Sequence, residues 1–145
     1  KKTTGKDITN YPGAGAAGGM GGGLLAFFNA ELKPGTELLL KAIDFSEKIK
    51  GADLIITGEG KADRQTAMGK VPYGILKEAQ KEHIPVIVLA GSIENLPELN
   101  KAGFKGIFSI APGPITLEKA MEPEFAKENI TRLVSQLYSV ITSFG

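Results

Sequence analysis

There is no cysteine anywhere in the 145 residues. That excludes a disulfide frame, a thiolate metal site and a cysteine nucleophile, and it fits a reducing compartment such as the cytoplasm. No apolar run approaches the ~18 residues that a membrane-spanning helix needs, so no membrane partner is expected. An excess of charge is missing too, because seventeen Lys and Arg face sixteen Asp and Glu. The basic surplus that nucleic acid would call for is therefore absent. The opening stretch Lys1 to Tyr11 is polar and lacks an initiator Met. No signal peptide is expected from it, and its ragged character predicts a chain cut from something longer. The single histidine, His83, falls near a predicted helix end, where a cation is favoured by the helix dipole and a catalytic role is not required.

Glycine is what the chain has in excess, nineteen in all, seven of them between Gly13 and Gly23. Gly13, Gly15 and Gly18 formally match the dinucleotide fingerprint G-x-G-x-x-G. The context is wrong for it, since DITNYP ahead of Gly13 does not read as a strand. Ala17, Met20, Leu24, Phe27, Phe28 and Glu31 recur at helical steps of three and four, and the Phe27-Phe28 pair is expected in the core. Glycines inside a helix cost about 0.5–1 kcal/mol each relative to Ala. Close approach of another backbone would offset that, as would a phosphate at the helix start near Gly15, Gly18 and Gly19.

Beyond Lys33-Pro34-Gly35 the periodicity predicts a helix from Thr36 to about Lys50, buried along Leu38, Ala42, Phe45 and Ile49. Strands follow at 53–57, 86–90 and 106–110, each a short apolar run. Between them lie a helix over Val71 to Glu82, burying Ile75, Leu76 and Ala79, and a short helix within ENLPELNKAG. A helical turn near Thr116 leads to a long helix from Pro123 to Ser143, with Ala126, Ile130, Leu133, Leu137 and Ile141 as its stripe. Three alternations of strand and helix predict a parallel, three-layer α/β unit. Residues 1–35 stand outside that alternation, as the end of a neighbouring domain would.

The chemistry-bearing residues collect after the first strand, in DLIITGEGKADRQTAMGK. Ligands of open α/β sheets bind beyond the carboxyl ends of the strands, and the apolar run there stops at Gly58. Gly58 and Gly60 would admit positive φ and turn backbone N–H groups toward an anion. The carboxylates Glu59 and Asp63 have the hard oxygens Mg²⁺ takes, and Lys61, Arg64 and Lys70 could neutralise phosphate. The set reads as a phosphoryl-transfer site, in which catalysis is mainly positioning and electrostatics. It is not a Walker A loop, because Val71 follows Gly69-Lys70 and Arg64 stands at the first glycine position. Ser92, after the second strand, is a candidate hydrogen-bond donor to ligand or an ordinary strand cap.

Asp63 is expected at the reacting centre, as Mg²⁺ ligand or as base for the substrate hydroxyl, with Glu59 as second carboxylate. Gln65 and Thr66 would donate hydrogen bonds, and Lys70 would hold a phosphate or substrate carboxylate. The competing reading makes Asp63 a helix cap or a partner of Arg64.

The two stretches PGAGAAGGMGGGLLAF and DLIITGEGKADRQTAMGKVPYG together resemble the bacterial-type glycerate kinase family, and VIVLAGS fits its next strand. The likeness extends over nearly the whole chain. Ala62 departs from it, standing where a larger aliphatic residue is usual. Members are also much longer, so the chain resembles their carboxyl-terminal portion only. The resemblance implies ATP-dependent phosphorylation of D-glycerate to a phosphoglycerate, with Mg²⁺, in a cleft between two α/β domains. Residues 1–50 would then be the edge of the smaller inserted domain, and 51–145 the carboxyl-terminal part of a Rossmann-like domain. Glycerate, ATP and the missing amino-terminal part would be the partners. The isolated fragment would be inactive and prone to self-association. A non-catalytic phosphate- or nucleotide-binding module, or a fragment of a nicotinamide-dependent oxidoreductase using Gly13, Gly15 and Gly18, are the alternatives.

Overall fold

The structure, a computed structural model, describes residues 4–28 and 30–143. Residues 1–3 of the polar lead-in lie outside the described residues. The chain divides into two compact units, Lys1–Leu38 and Leu39–Gly145.

The first unit is organised by glycine. A helical segment, α1 (Ala16–Phe28), is interrupted by three successive left-handed residues, Ala17, Gly18 and Gly19, with φ of 51°, 68° and 94°. The side it buries is Gly21, Gly22 and Leu25. A Cβ at Gly21 would stand 2.6 Å from the Gly13 carbonyl oxygen, and one at Gly22 would stand 3.1 Å from the Ala14 carbonyl oxygen. Backbone approach thus accounts for these two glycines. The expectation that Phe27 and Phe28 are core is corrected, since they are 68% and 76% exposed. A residue without a side chain lets the neighbouring loop come closer than any Phe would, and the helix turns that side inward.

The second unit starts within α2 (Gly35–Ala42) and continues through α3 (Phe45–Lys48). A single helix was expected here. Asp44 instead adopts φ 50° and breaks it, so Leu40 is buried and Leu38 is 49% exposed. Then come β1 (Ile55–Ala62), a 3₁₀ turn (Thr66–Met68), α4 (Val71–Lys81), β2 (Val86–Ile93), α5 (Leu96–Ala102) and β3 (Gly106–Ser109). The chain closes with α6 (Leu117–Ala120) and α7 (Pro123–Thr142). Thr116 caps α6 by accepting the Lys119 N–H through its hydroxyl, a favoured arrangement.

The three strands form one parallel sheet in the order β1-β2-β3. Val86, Val88 and Ala90 are at most 1% exposed. They join Leu76 and Ala79 of α4 and Leu99 of α5 in the core cluster on one face. On the opposite face α7 lies over the sheet, its Leu137 and Ile141 lining a gap with Ile87 and Phe108. This is the three-layer α/β arrangement expected from the alternation. The α7 stripe is found in part: Ala126, Leu133 and Leu137 are half-buried, but the helix's one buried position is Asn129, and Ile130 and Ile141 are 42% and 48% exposed.

Candidate active site at the carboxyl end of β1

Strand β1 runs through Ala62 rather than stopping at Thr57. Gly58, Glu59, Lys61 and Ala62 have ladder partners in Leu89, Ala90, Ser92 and Ile93 of β2. A partner strand of matching length overrides the poor strand preference of Gly, Glu and Lys. The expected positive φ at Gly58 and Gly60 is therefore corrected, because neither is among the left-handed residues. What the glycines here permit is close approach across the ladder. A Cβ at Gly91 would lie 2.8 Å from the Gly60 carbonyl oxygen. Glu59 is half-buried, and its Oε1 accepts the Gly60 N–H at 3.3 Å.

The tight turn begins at Asp63. Its Oδ1 accepts the N–H of Gln65 (2.9 Å) and of Thr66 (3.3 Å), and also a bond from Lys70 Nζ (3.4 Å). In return the Asp63 N–H donates to Thr66 Oγ1 at 3.1 Å. Asp63 thus caps the 3₁₀ turn with one oxygen, an Asx-type arrangement. Its ion-pair partner is Lys70, not Arg64. Burial pushes the carboxyl up, but the bonds from Thr66, Lys70 and Gln65 outweigh it and hold the pKa below the ordinary value.

Thr66 is fully buried. Its hydroxyl, besides accepting from Asp63, donates to the Lys61 carbonyl at 3.4 Å. The hydroxyl therefore ties the turn to the end of β1 and is not turned out toward a ligand. Gln65 and Arg64 are exposed, and Arg64 makes no ion pair among the described residues. Lys70 sits just ahead of α4, where Pro72 in the first turn suits a helix start. Its ammonium also reaches the Lys61 carbonyl at 3.5 Å.

One participant was not legible in the sequence. Glu94, just past β2, pairs with Lys61 at 2.8 Å, and its N–H bonds to the Ala62 carbonyl at 2.7 Å. The hydrogen bond and charge of Glu94 raise the Lys61 pKa. Two lysines and two carboxylates consequently alternate across the ends of β1 and β2. Ser92, the ladder partner of Lys61, is exposed beside them.

Mg²⁺ fits such a place only as an ion held by one or two carboxylates together with phosphates and water, since the described residues contain no cluster of three potential ligands. Gly15, Gly18 and Gly19 belong to the other unit, where a Cβ on each would meet nothing within 4 Å. Ahead of Gly13 the described residues contain no strand, so the dinucleotide fingerprint lacks its required context. No helix among the described residues is long and apolar enough to cross a membrane.

The sequence pattern of the Glycerate kinase family matches residues 1–142. A glycerate kinase of Halalkalibacterium halodurans is 46% identical over 119 residues, covering 81% of this chain and 31% of that protein. One of Bacillus cereus is 44% identical over 135 residues, 92% of this chain and 35% of that protein. The glycerate 2-kinase of Escherichia coli is 42% identical over 133 residues, 91% of this chain and 34% of its own. A crystal structure described as a glycerate kinase 2 from Salmonella typhimurium LT2 superposes with a TM-score of 0.67 at 38% identity, over 90% of this chain and 33% of that one. The chain spans about a third of the length of the curated relatives it matches.

Proposed function

Because this chain belongs to the glycerate kinase family, we propose that the longer protein to which it corresponds transfers the terminal phosphoryl group of ATP to a hydroxyl of D-glycerate. The bond from the γ-phosphorus to the oxygen bridging to ADP breaks, and a bond from the glycerate hydroxyl oxygen forms. The hydroxyl proton passes to solvent or a base, and ADP and a phosphoglycerate leave. Mg²⁺, when bound, supplies neutralisation of the phosphate oxygens.

The observation that carries this reading is the state of Asp63. Three donors converge on Oδ1, and Oδ2 has no donor among the described residues. A carboxylate anchored by one oxygen offers the other in a fixed direction. Its lowered pKa keeps it ionised at neutral pH. That suits a metal ligand better than a general base, whose pKa works best near the operating pH. Capping and chemistry are therefore compatible in one side chain. Glu59 is the second carboxylate, while Lys70 and the unpaired Arg64 hold phosphate or the glycerate carboxylate. Gln65 donates from the turn. Thr66 acts through Asp63, as a positioning residue. Gly58 and Gly60 let substrate approach the strand end, and Gly15, Gly18 and Gly19 leave room for nucleotide on the first unit. The 145-residue chain alone is inactive or nearly so, because orienting reactants across a complete cleft can supply ~7–11 kcal/mol.

Asp63→Asn in the full-length protein tests this reading. The amide oxygen still caps the turn while the charge is gone. Glycerate-dependent ADP release is expected to fall at least ~10²-fold and to be partly restored by excess Mg²⁺. Turnover within a few-fold of wild type would put the chemistry on another carboxylate. A shifted pH profile without any Mg²⁺ dependence would make Asp63 the base instead.

A further inference from the structure

Two lysines flank Asp63, yet only one of them touches it. Lys70 Nζ lies 3.4 Å from Oδ1, and Oδ2 has no donor among the described residues. Lys61 stands two residues before Asp63, at the end of β1. At the rise of a strand that separation is about 6–7 Å, within the span of a lysine side chain. A bare carboxylate oxygen is a natural partner for an ammonium at that range. Lys61 is nevertheless committed elsewhere, its Nζ 2.8 Å from Glu94 Oε1.

Glu94 owes its position to the backbone rather than to the ion pair. Its N–H donates to the Ala62 carbonyl at 2.7 Å, directly after the register pair Ala62 and Ile93. Lys61 is fixed from its own side, where Thr66 Oγ1 and Lys70 Nζ donate to its carbonyl. Both ends of the pair are therefore anchored before the side chains meet. The two side chains are well exposed, at 50% and 57%, and an ion pair so placed adds little to stability. Its effect lies in the choice of partner. The hydrogen bond and charge of Glu94 are the chief causes of the raised Lys61 pKa, and the charge of Asp63 contributes as well. Both carboxylates thus act on the same ammonium.

We propose that Glu94 is a positioning residue for the site after β1, holding the Lys61 ammonium off Asp63 and so keeping Oδ2 open to a cation. Without the Glu94 carboxylate, Lys61 turns to Asp63, which then carries a lysine on each oxygen. A carboxylate closed by two ammonium groups is a poor ligand for Mg²⁺, which takes carboxylate oxygens directly. The placement of Lys61 stands on geometry alone, while its consequence for Mg²⁺ rests on the reading of Asp63 proposed above.

The experiment compares Glu94→Gln, Glu94→Asp, Lys61→Met and the Glu94→Gln/Lys61→Met pair. The backbone bond from residue 94 to Ala62 survives in all of them, so the urea midpoint of the 145-residue chain should barely move. In that chain, at neutral pH and without metal, the carboxyl carbon resonance of Asp63 should shift in Glu94→Gln as Lys61 closes on Oδ2. It should stay near its wild-type position in Glu94→Asp, where the charge remains within reach of a flexible lysine. In the Lys61→Met background, Glu94→Gln should leave the resonance where it is. A crystal structure of the Glu94→Gln chain should show Lys61 Nζ within hydrogen-bonding distance of Asp63 Oδ2. In the full-length protein, the Mg²⁺ concentration for half-maximal glycerate-dependent ADP release should rise about 3–5-fold in Glu94→Gln, the scale of competition from an exposed ion pair. Excess Mg²⁺ should recover the turnover, and the double variant should match Lys61→Met alone. Equal effects of Glu94→Gln in both backgrounds would mean that Glu94 acts only through its charge at a distance, and would overturn the proposal. So would an unmoved resonance, or a Lys61 ammonium left in solvent. A full-length protein that releases no ADP with glycerate would sink the kinase reading, and the Asp63 resonance of the chain would still decide where Lys61 goes.

Discussion

Thr66 is the residue whose removal should reveal how the turn after β1 is held. Thr66→Val keeps the shape and volume of a fully buried side chain and deletes only the hydroxyl. Two groups lose a partner, the Asp63 N–H at 3.1 Å and the Lys61 carbonyl at 3.4 Å. The carbonyl retains Lys70 Nζ at 3.5 Å, so the orphaned Asp63 N–H dominates the cost. An unsatisfied buried donor costs about 1–3 kcal/mol. Thr66→Ser keeps the hydroxyl and loses one methyl group, about 0.8 kcal/mol of burial. Val should thus be the more damaging of the two, although it is the more hydrophobic. Urea denaturation of the 145-residue chain at low protein concentration reads the difference as a lower midpoint with unchanged slope. In the full-length protein Thr66→Val should also reduce turnover, since the freed turn no longer aims Asp63. A Val variant as stable as wild type, or a Ser variant less stable than Val, would refute the reasoning. Packing rather than the hydroxyl would then hold the turn.

Two further expectations concern the same strand end. Gly91→Ala places a Cβ 2.8 Å from the Gly60 carbonyl oxygen, which forces β1 and β2 apart at about 1–3 kcal/mol. Unchanged denaturation, with unchanged exchange of the β1 amides, would disprove the close approach. Asp63 has a folded pKa below its ordinary 3.8, so folding favours the anion. Its stabilisation is complete above 3.8 and fades as the pH falls from there through the lower folded value. Carbon-detected titration of the carboxyl should give a midpoint below 3.8, rising in Lys70→Met, and a midpoint at or above 3.8 in the wild type would contradict the capping geometry.

Much of the second unit was determined by local sequence. Apolar runs with β-branched residues at Ile55–Ile56 and Val86–Val88 make strands, and the second of them is buried from Val86 to Ala90. Pro72 and Pro123 stand in the first turns of α4 and α7, where a missing N–H costs nothing. The polar cluster from Glu59 to Lys70 was legible as a candidate site because charged residues directly after a buried strand have few other uses. Tertiary structure decided the rest, by supplying partners distant in the chain. The ladder with β2 drew Gly58 to Ala62 into the strand, against their propensity, and Glu94 took Lys61 from across it. Close backbone approach in the first unit turned glycines inward and left Phe27 and Phe28 outside. A left-handed Asp44 split a helix whose periodicity was unbroken. Whether Asp63 caps or reacts could not be read from spacing, because the answer lies in which of its two oxygens the folded turn occupies. Periodicity reports which side of a segment can be buried, and only the fold says what arrives there to bury it.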